Sequence, residues 1–137
     1  MADKKSLTFL IMDAPYENER TVTAFRLIDS ALRKGHDVTV FAYEGAVALT
    51  FVKQAQHPNA VHGRDAAQED HPLPKDWAAA LIAAAQAGGS KIEWINCGLC
   101  VDERGVTEFI PGAKRGAPGD FWKAAEASTN SLVIATR

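Results

Sequence analysis

The chain lacks the features that mark several common classes of protein. Its 137 residues include only two cysteines and carry a net charge of −2, with lysine and arginine scattered along the sequence. A near-neutral chain of this kind is not expected to bind nucleic acid or an anionic membrane surface. The first apolar run, residues 7–12, is too short for a secretory signal or a membrane span. We therefore predict a cytoplasmic protein with no nucleic-acid or membrane partner.

Motifs for cofactors are also missing. Gly112, Gly116 and Gly119 do not form a phosphate loop, because no long apolar strand precedes them and no Gly-Lys-Ser/Thr sequence follows. A zinc site needs about four ligands, which the two cysteines and the histidines of residues 56–75 supply only if that segment folds back. No histidine pair has the usual ligand spacing, so we expect no metal and no other cofactor.

The sequence does contain a regular alternation of apolar runs and helical patterns. Apolar runs predict strands at residues 7–12, 36–43, 91–96 and 131–136. Helical spacing and capping residues predict helices at residues 21–34, 46–54, 77–87 and 121–128, the last one capped by Asp120. Residues 56–75 are expected to be a long surface loop, and residues 113–119 a second loop rich in glycine and basic residues.

This alternation predicts an α/β fold, with a doubly wound and mainly parallel sheet of about five strands and helices on both faces. At 47% hydrophobic residues, a chain of this length is expected to form one domain over residues 1–137. Three tryptophans are expected to pack in the core or at a subunit interface: Trp77, Trp94 and Trp122.

Both cysteines belong to the sequence Cys97-Gly98-Leu99-Cys100, where the third predicted strand meets a helix. Unpaired backbone N–H groups and the helix dipole favour a thiolate at such a position, which predicts a lowered cysteine pKa. Two cysteines three residues apart in a reducing compartment favour redox, transfer or metal chemistry over a structural disulfide. Two buried, inert thiols are the simpler alternative, and thioredoxin-like chemistry is another, although the aromatic-Cys-Gly-Pro-Cys sequence is missing.

Polar residues also follow the first two predicted strands. Asp13 and Tyr16 come after the first strand, and Glu44 comes after the second. Ligand sites of doubly wound sheets lie at the carboxyl ends of the strands, so we expect these side chains to line a pocket beside the cysteines. The alternative is that they are ordinary turn residues and surface charges.

Several short motifs occur here in a recognisable order and spacing: Ala14-Pro15-Tyr16 with Arg20, Gly35-His36-Asp37 before an apolar strand, Glu44-Gly45-Ala46-Val47, and Cys97 with Arg104-Gly105. Together they resemble the DsrE/DsrF-like sulfur-relay family, including its TusD-type persulfide carriers, over nearly the whole chain. Many relatives carry aspartate in place of Glu44. TusD-type carriers have one cysteine where this chain has Cys-Gly-Leu-Cys.

The resemblance implies a protein that holds sulfur as a cysteine persulfide, in the manner of a sulfurtransferase, and passes it between donor and acceptor proteins. It commonly implies a homotrimer or homohexamer. Counted back from Arg104-Gly105, Cys97 corresponds to the single cysteine of TusD-type carriers, and Cys100 to a cysteine of other branches. Arg104 would steady the persulfide anion or a carboxylate of the partner. Two other functions stay open: dithiol redox chemistry at Cys97 and Cys100, and a module that binds a small ligand or a protein.

Overall fold

Five parallel strands form the central sheet of the described part of the chain. The structure is a computed structural model that describes residues 3–136, so the predicted domain limits at residues 1 and 137 lie outside the described residues. The strands are β1 (Ser6–Ile11), β2 (Asp37–Ala42), β3 (Ile92–Cys97), β4 (Ala113–Gly116) and β5 (Asn130–Ile134). They lie in the order β4-β3-β2-β1-β5, and every neighbouring pair is parallel. The predicted α/β fold is confirmed.

Helices cover both faces of this sheet. They are α1 (Arg20–Arg33), α2 (Ala66–Glu69), α3 (Pro74–Ala87), α4 (Gly98–Arg104) and α5 (Pro118–Ala127), with 3-10 helices at Glu44–Thr50 and Ala60–His62. Phe25 of α1 packs against Trp94 on one face of the sheet, with ring centroids 5.9 Å apart. Phe121 of α5 packs against Phe41 on the other face, also at 5.9 Å. The helices therefore enclose two apolar layers.

The central strands are buried on both faces, as expected for a parallel sheet between helices. Phe9 of β1 pairs in register with Val40 of β2, which pairs with Trp94 of β3, and all three side chains are buried in one layer. The next residue of β2, Phe41, belongs to the opposite layer because side chains alternate along a strand. The two layers together fix the position of each strand end.

The largest difference from the predicted elements is β4, which lies within the loop expected at residues 113–119. Its sequence, Ala-Lys-Arg-Gly, has no run of apolar residues because β4 is an edge strand with exposed side chains. Helix α5 begins at Pro118 rather than at residue 121, since proline fits the first helical turn. Asp120 is therefore inside this first turn, where its side chain accepts the Ala117 N–H at 2.8 Å.

Two further segments differ in detail. The helix expected at residues 46–54 is a 3-10 helix over Glu44–Thr50. The expected loop at residues 56–75 contains one short 3-10 helix and the single turn α2, which is closed by a capping box between Asp65 and Gln68. Helix α3 begins at Pro74, again at a proline in the first turn.

Candidate functional site

Both thiols are buried at the junction of β3 and α4. Cys97 ends β3 and Cys100 lies in the first turn of α4. Only 2% of Cys97 and 4% of Cys100 is exposed, and neither thiol is in a disulfide. They pack with Phe41, Ile95 and Val101 in the apolar layer beneath α4. Small reagents therefore have little direct access to either sulfur atom.

The Cys100 thiol is held in its protonated form. Burial is the main cause that raises the pKa of Cys100, to about 11, and a hydrogen bond with the Cys97 side chain adds to it. The Glu44 N–H donates to Cys100 Sγ at 3.2 Å and acts in the opposite direction, but does not outweigh burial. The expectation of a lowered pKa is therefore wrong for Cys100, because burial of the thiol disfavours its charged form.

Glu44 has an uncommon backbone conformation that aims its N–H at this sulfur. Its φ is +52°, a left-handed value that residues other than glycine rarely adopt. The next residue, Gly45, lies against Ala14, where an added Cβ would come within 2.8 Å of the Ala14 Cβ. The Glu44 side chain points the other way and pairs with Arg104 at 2.7 Å. Arg104 also lies 3.6 Å from Glu103.

A pocket of about 760 Å³ lies at the carboxyl ends of β1 and β2. Its wall contains five charged residues: Asp13, Glu17, Arg20, Glu44 and Arg104. Asp13 is buried, accepts a hydrogen bond from Asn18 Nδ2 at 2.8 Å and lies 3.4 Å from the Arg20 guanidinium. Two of the three carboxylates are thus paired with guanidinium groups: Asp13 with Arg20, and Glu44 with Arg104.

The structure places three of the six predicted site residues in the pocket wall and three outside it. Asp13, Glu44 and Arg104 line the pocket. Both cysteines lie outside its lining, and Cys100 lies against the backbone N–H of Glu44. Tyr16 is two-thirds exposed, has a left-handed φ of +65° and packs edge-on against His71, with centroids 6.4 Å apart. Tyr16 therefore belongs to the turn before α1 rather than to the pocket wall.

Two residues near the thiols were not found from the sequence. Tyr43 precedes Glu44, and the negative charges of Glu44 and of a Cys100 thiolate raise the pKa of its hydroxyl. Its position directly after β2 could have identified Tyr43 as a candidate, because ligand sites of such sheets lie at the carboxyl ends of the strands. Arg115 lies on β4, and its guanidinium covers Gly98, the residue after Cys97. No sequence signal pointed to Arg115, because β4 itself was expected to be a loop.

The described residues show neither a metal centre nor a membrane helix. Within residues 3–136, no three His, Cys, Asp or Glu side chains are grouped so that they could hold a metal ion. In the same part of the chain, no helix is both long and apolar enough to cross a membrane.

Comparison with known proteins adds family relationships to this geometry. A protein of Methanopyrus kandleri, the uncharacterized protein MK0008, is 29% identical over 128 residues, which cover 92% of this chain and 91% of that protein. The crystal structure of the ychN protein from E. coli superimposes with a TM-score of 0.72 at 17% identity, covering 96% of this chain and 99% of that one, so the two share a fold. The sequence pattern of the DsrE/DsrF-like family matches residues 5–133. The chain therefore belongs to the DsrE/DsrF-like family.

Proposed function

We propose that this protein holds sulfur as a persulfide on Cys97 and passes it between partner proteins, with Cys100 as the neighbouring thiol. The observation that carries the proposal is a pair of free thiols at the end of β3, adjoining a charged pocket, in a chain of the DsrE/DsrF-like family. The finer role is not given by family membership and rests on the chemistry of this pair.

The transfer needs no external oxidant or reductant. The Cys97 thiolate attacks the outer sulfur of a donor persulfide, the donor S–S bond breaks, and the donor leaves as a thiolate while Cys97 gains one sulfur. An acceptor thiolate then attacks that outer sulfur and releases Cys97 as a thiolate again. Because Cys100 has a pKa of about 11, it is protonated at neutral pH and does not compete as a nucleophile.

The supporting residues divide between the pocket and its rim. Asp13, Glu44 and Arg104 would shape the surface that a donor or acceptor meets, and the Glu44 N–H fixes Cys100 behind that surface. Tyr16, exposed at the edge of the same turn, would contact the partner rather than the sulfur. Since both thiols are buried, transfer also requires that the Glu44 turn or α4 move aside when a partner binds.

A second candidate function is dithiol chemistry, favoured by the hydrogen bond between the two thiols. Cys100, once deprotonated, would attack the inner sulfur of the Cys97 persulfide, form a disulfide and release sulfide. A third candidate, in which the 760 Å³ pocket binds a small ligand or a protein without sulfur transfer, requires neither thiol.

The assembly is a further part of the proposal. We propose a homo-oligomer, a trimer or a hexamer, which relays sulfur between donor and acceptor proteins. Two large apolar side chains on the α5 side of the sheet support it: Trp122 is 63% exposed and Val133 is 60% exposed. Exposed apolar surface of this kind is typical of contacts between subunits.

Intact mass spectrometry tests the carrier role. The protein is incubated with a persulfide donor and compared with Cys97→Ser and Cys100→Ser, each checked for folding by circular dichroism. We expect a mass gain of one sulfur atom in the wild type and in Cys100→Ser, and none in Cys97→Ser. A Cys97 to Cys100 disulfide without added sulfur would favour the dithiol function. Unmodified protein in all three samples would contradict both and favour the binding module.

A further inference from the structure

A second arginine, absent from the pocket wall, lies against Gly98, the residue after Cys97. Arg115 belongs to the edge strand β4, where Asn96 pairs with Arg115 and Cys97 pairs with Gly116 in the parallel register. Its guanidinium forms two hydrogen bonds with Asp102 of α4, at 2.8 and 2.6 Å. This bidentate contact fixes the plane of the guanidinium, which a single hydrogen bond would not do.

Gly98 explains how the guanidinium comes so close to the start of α4. A Cβ added to Gly98 would lie 2.7 Å from Arg115 Nε and 3.0 Å from both Cζ and Nη2, so the guanidinium occupies the space of the missing side chain. Gly98 and Asp102 are four residues apart, so they share one face of α4. Asp102 therefore anchors Arg115 one turn along the helix, while the cation itself covers the residue next to Cys97.

The charges around Cys97 are otherwise neutral or negative. Cys100 faces it from α4, and Tyr43 from the end of β2, where a Cys97 thiolate contributes to the raised pKa of the tyrosine. Glu44 lies beyond Cys100, and Asp120 of α5 lies beside Gly116, which pairs with Cys97. The Cys100 thiol can donate a hydrogen bond to a Cys97 thiolate, but none of these four groups carries a positive charge.

Arg115 supplies the positive charge that these groups lack, from a guanidinium held by Asp102. The pKa of its guanidinium is raised, mainly by the hydrogen bonds to Asp102 and in smaller part by the negative charge of a Cys97 thiolate. The other nearby arginine, Arg104, pairs with Glu44 and Glu103 at the pocket, whereas the Arg115 guanidinium lies against Gly98, the residue after Cys97.

We propose that Arg115, clamped by Asp102 over Gly98, is a positioning residue that stabilises the anionic sulfur of Cys97. The proposal rests on the carrier role of Cys97 and deepens it, because the same charge would favour both the attacking thiolate and the persulfide anion. It also distinguishes the two thiols: the residue after Cys97 is covered by a fixed cation, whereas Cys100 accepts a backbone N–H in an apolar layer.

The test is a titration of the thiolate by its ultraviolet absorbance, which needs no sulfur donor and no access for a reagent. Cys100→Ser leaves Cys97 as the single thiol, and the double variant lacking both cysteines provides the tyrosine background to subtract. Into Cys100→Ser we place Arg115→Gln, Arg115→Lys or Lys114→Gln. The last is a matched control, since Lys114 is on the same strand but pairs with Glu93.

We expect Arg115→Gln to move the midpoint of Cys97 ionisation up by about one pH unit, which means about tenfold less thiolate at any pH below the midpoint. Arg115→Lys should recover part of this shift because it keeps the charge, and Lys114→Gln should give none. An unchanged midpoint in Arg115→Gln would overturn the proposal. So would an equal shift in Lys114→Gln. If Arg115→Gln does not fold, Arg115→Lys decides, because lysine cannot form both hydrogen bonds to Asp102. Its Cys97 midpoint must lie above that of the Cys100→Ser parent, and an unchanged midpoint would overturn the proposal.

The titration tests the role of Arg115, and the mass measurement tests the carrier function, so either proposal can be contradicted without the other. A shifted midpoint without any persulfide on Cys97 would support the role of Arg115 and contradict the carrier function. A persulfide on Cys97 with an unshifted midpoint would do the reverse.

Discussion

Among single residues, Cys100 has the environment that most changes its chemistry. Its sulfur lies in an apolar layer, accepts one backbone hydrogen bond and has a pKa of about 11. The position of the cysteines at a strand end could be predicted from the sequence, because an apolar run followed by a glycine marks such a junction. Their burial could not, since it depends on Phe41 and Phe121, which reach this layer from distant parts of the chain.

The raised pKa of Cys100 predicts a loss of stability in alkali. The folded protein holds the thiol proton more tightly than the unfolded chain, whose thiol has the ordinary value of 9.0. Cys100 therefore stabilises the fold below about pH 9, and this contribution is lost as the pH rises from about 9 to about 11. Urea unfolding across that range should show a steeper decline in the wild type than in Cys100→Ser. Parallel declines in the two proteins would contradict the burial argument, because lysines and tyrosines titrate in both.

At the scale of elements, β4 and the start of α5 form the part of the site that the sequence did not indicate. A four-residue edge strand with exposed lysine and arginine has no apolar alternation, so only its pairing with β3 makes it a strand. The long helices α1 and α3 and the central strands could be predicted, because their apolar spacing is set by burial in the layers between helices and sheet. Arg115 was missed for the same reason that β4 was.

The close packing of β4 predicts that Gly116→Ala destabilises the protein. An added Cβ would overlap Ile95 Cγ2 and come within 2.8 Å of Asp120 Oδ2, the oxygen that accepts the Ala117 N–H. Overpacking of this kind typically costs about 1–3 kcal/mol in the free energy of unfolding, which urea denaturation measures.

Gly119→Ala is the matched control for this substitution. It adds the same methyl group three residues later, in the first turn of α5, with nothing within 4 Å. It should leave stability unchanged or raise it by up to about 1 kcal/mol, since alanine is the better helix former. Equal effects of the two substitutions would show that the overlap beside Asp120 is relieved without strain.

For the whole molecule, the two faces of the sheet are unequally covered. One face has both α1 and α3 packed against the central strands. The other has α5 along β1 and the short α4 near the carboxyl ends, and Val133 projects toward it with most of its surface exposed. The exposure of Val133 could not be predicted from the sequence, where it looks like an ordinary core residue of a strand. Trp122 was expected in the core or at a subunit interface, and the sequence does not distinguish the two.

The uneven cover predicts that Trp122→Glu weakens self-association. Light scattering coupled to size-exclusion chromatography should give a trimer or hexamer for the wild type, and a smaller mass for Trp122→Glu at the same concentration, because a carboxylate would be desolvated in the contact. Val61→Glu is the control, because it adds the same charge away from α5. Val61 is 89% exposed on the short helix Ala60–His62. A monomeric wild type, or equal masses for all three proteins, would contradict the proposed assembly.

The left-handed backbone of Glu44 also sets a limit on how this fold can be improved. Glycine adopts such a φ without strain, whereas other residues pay roughly 1 kcal/mol or more for it. Exchanging Glu44 for glycine is therefore an obvious step for anyone seeking a more heat-resistant variant. That exchange would also remove the carboxylate bound to Arg104 and loosen the turn that presents an N–H to Cys100. A substitution that raises thermal stability at this position would therefore disturb the pocket, so thermostabilisation of the protein is best sought elsewhere in the chain.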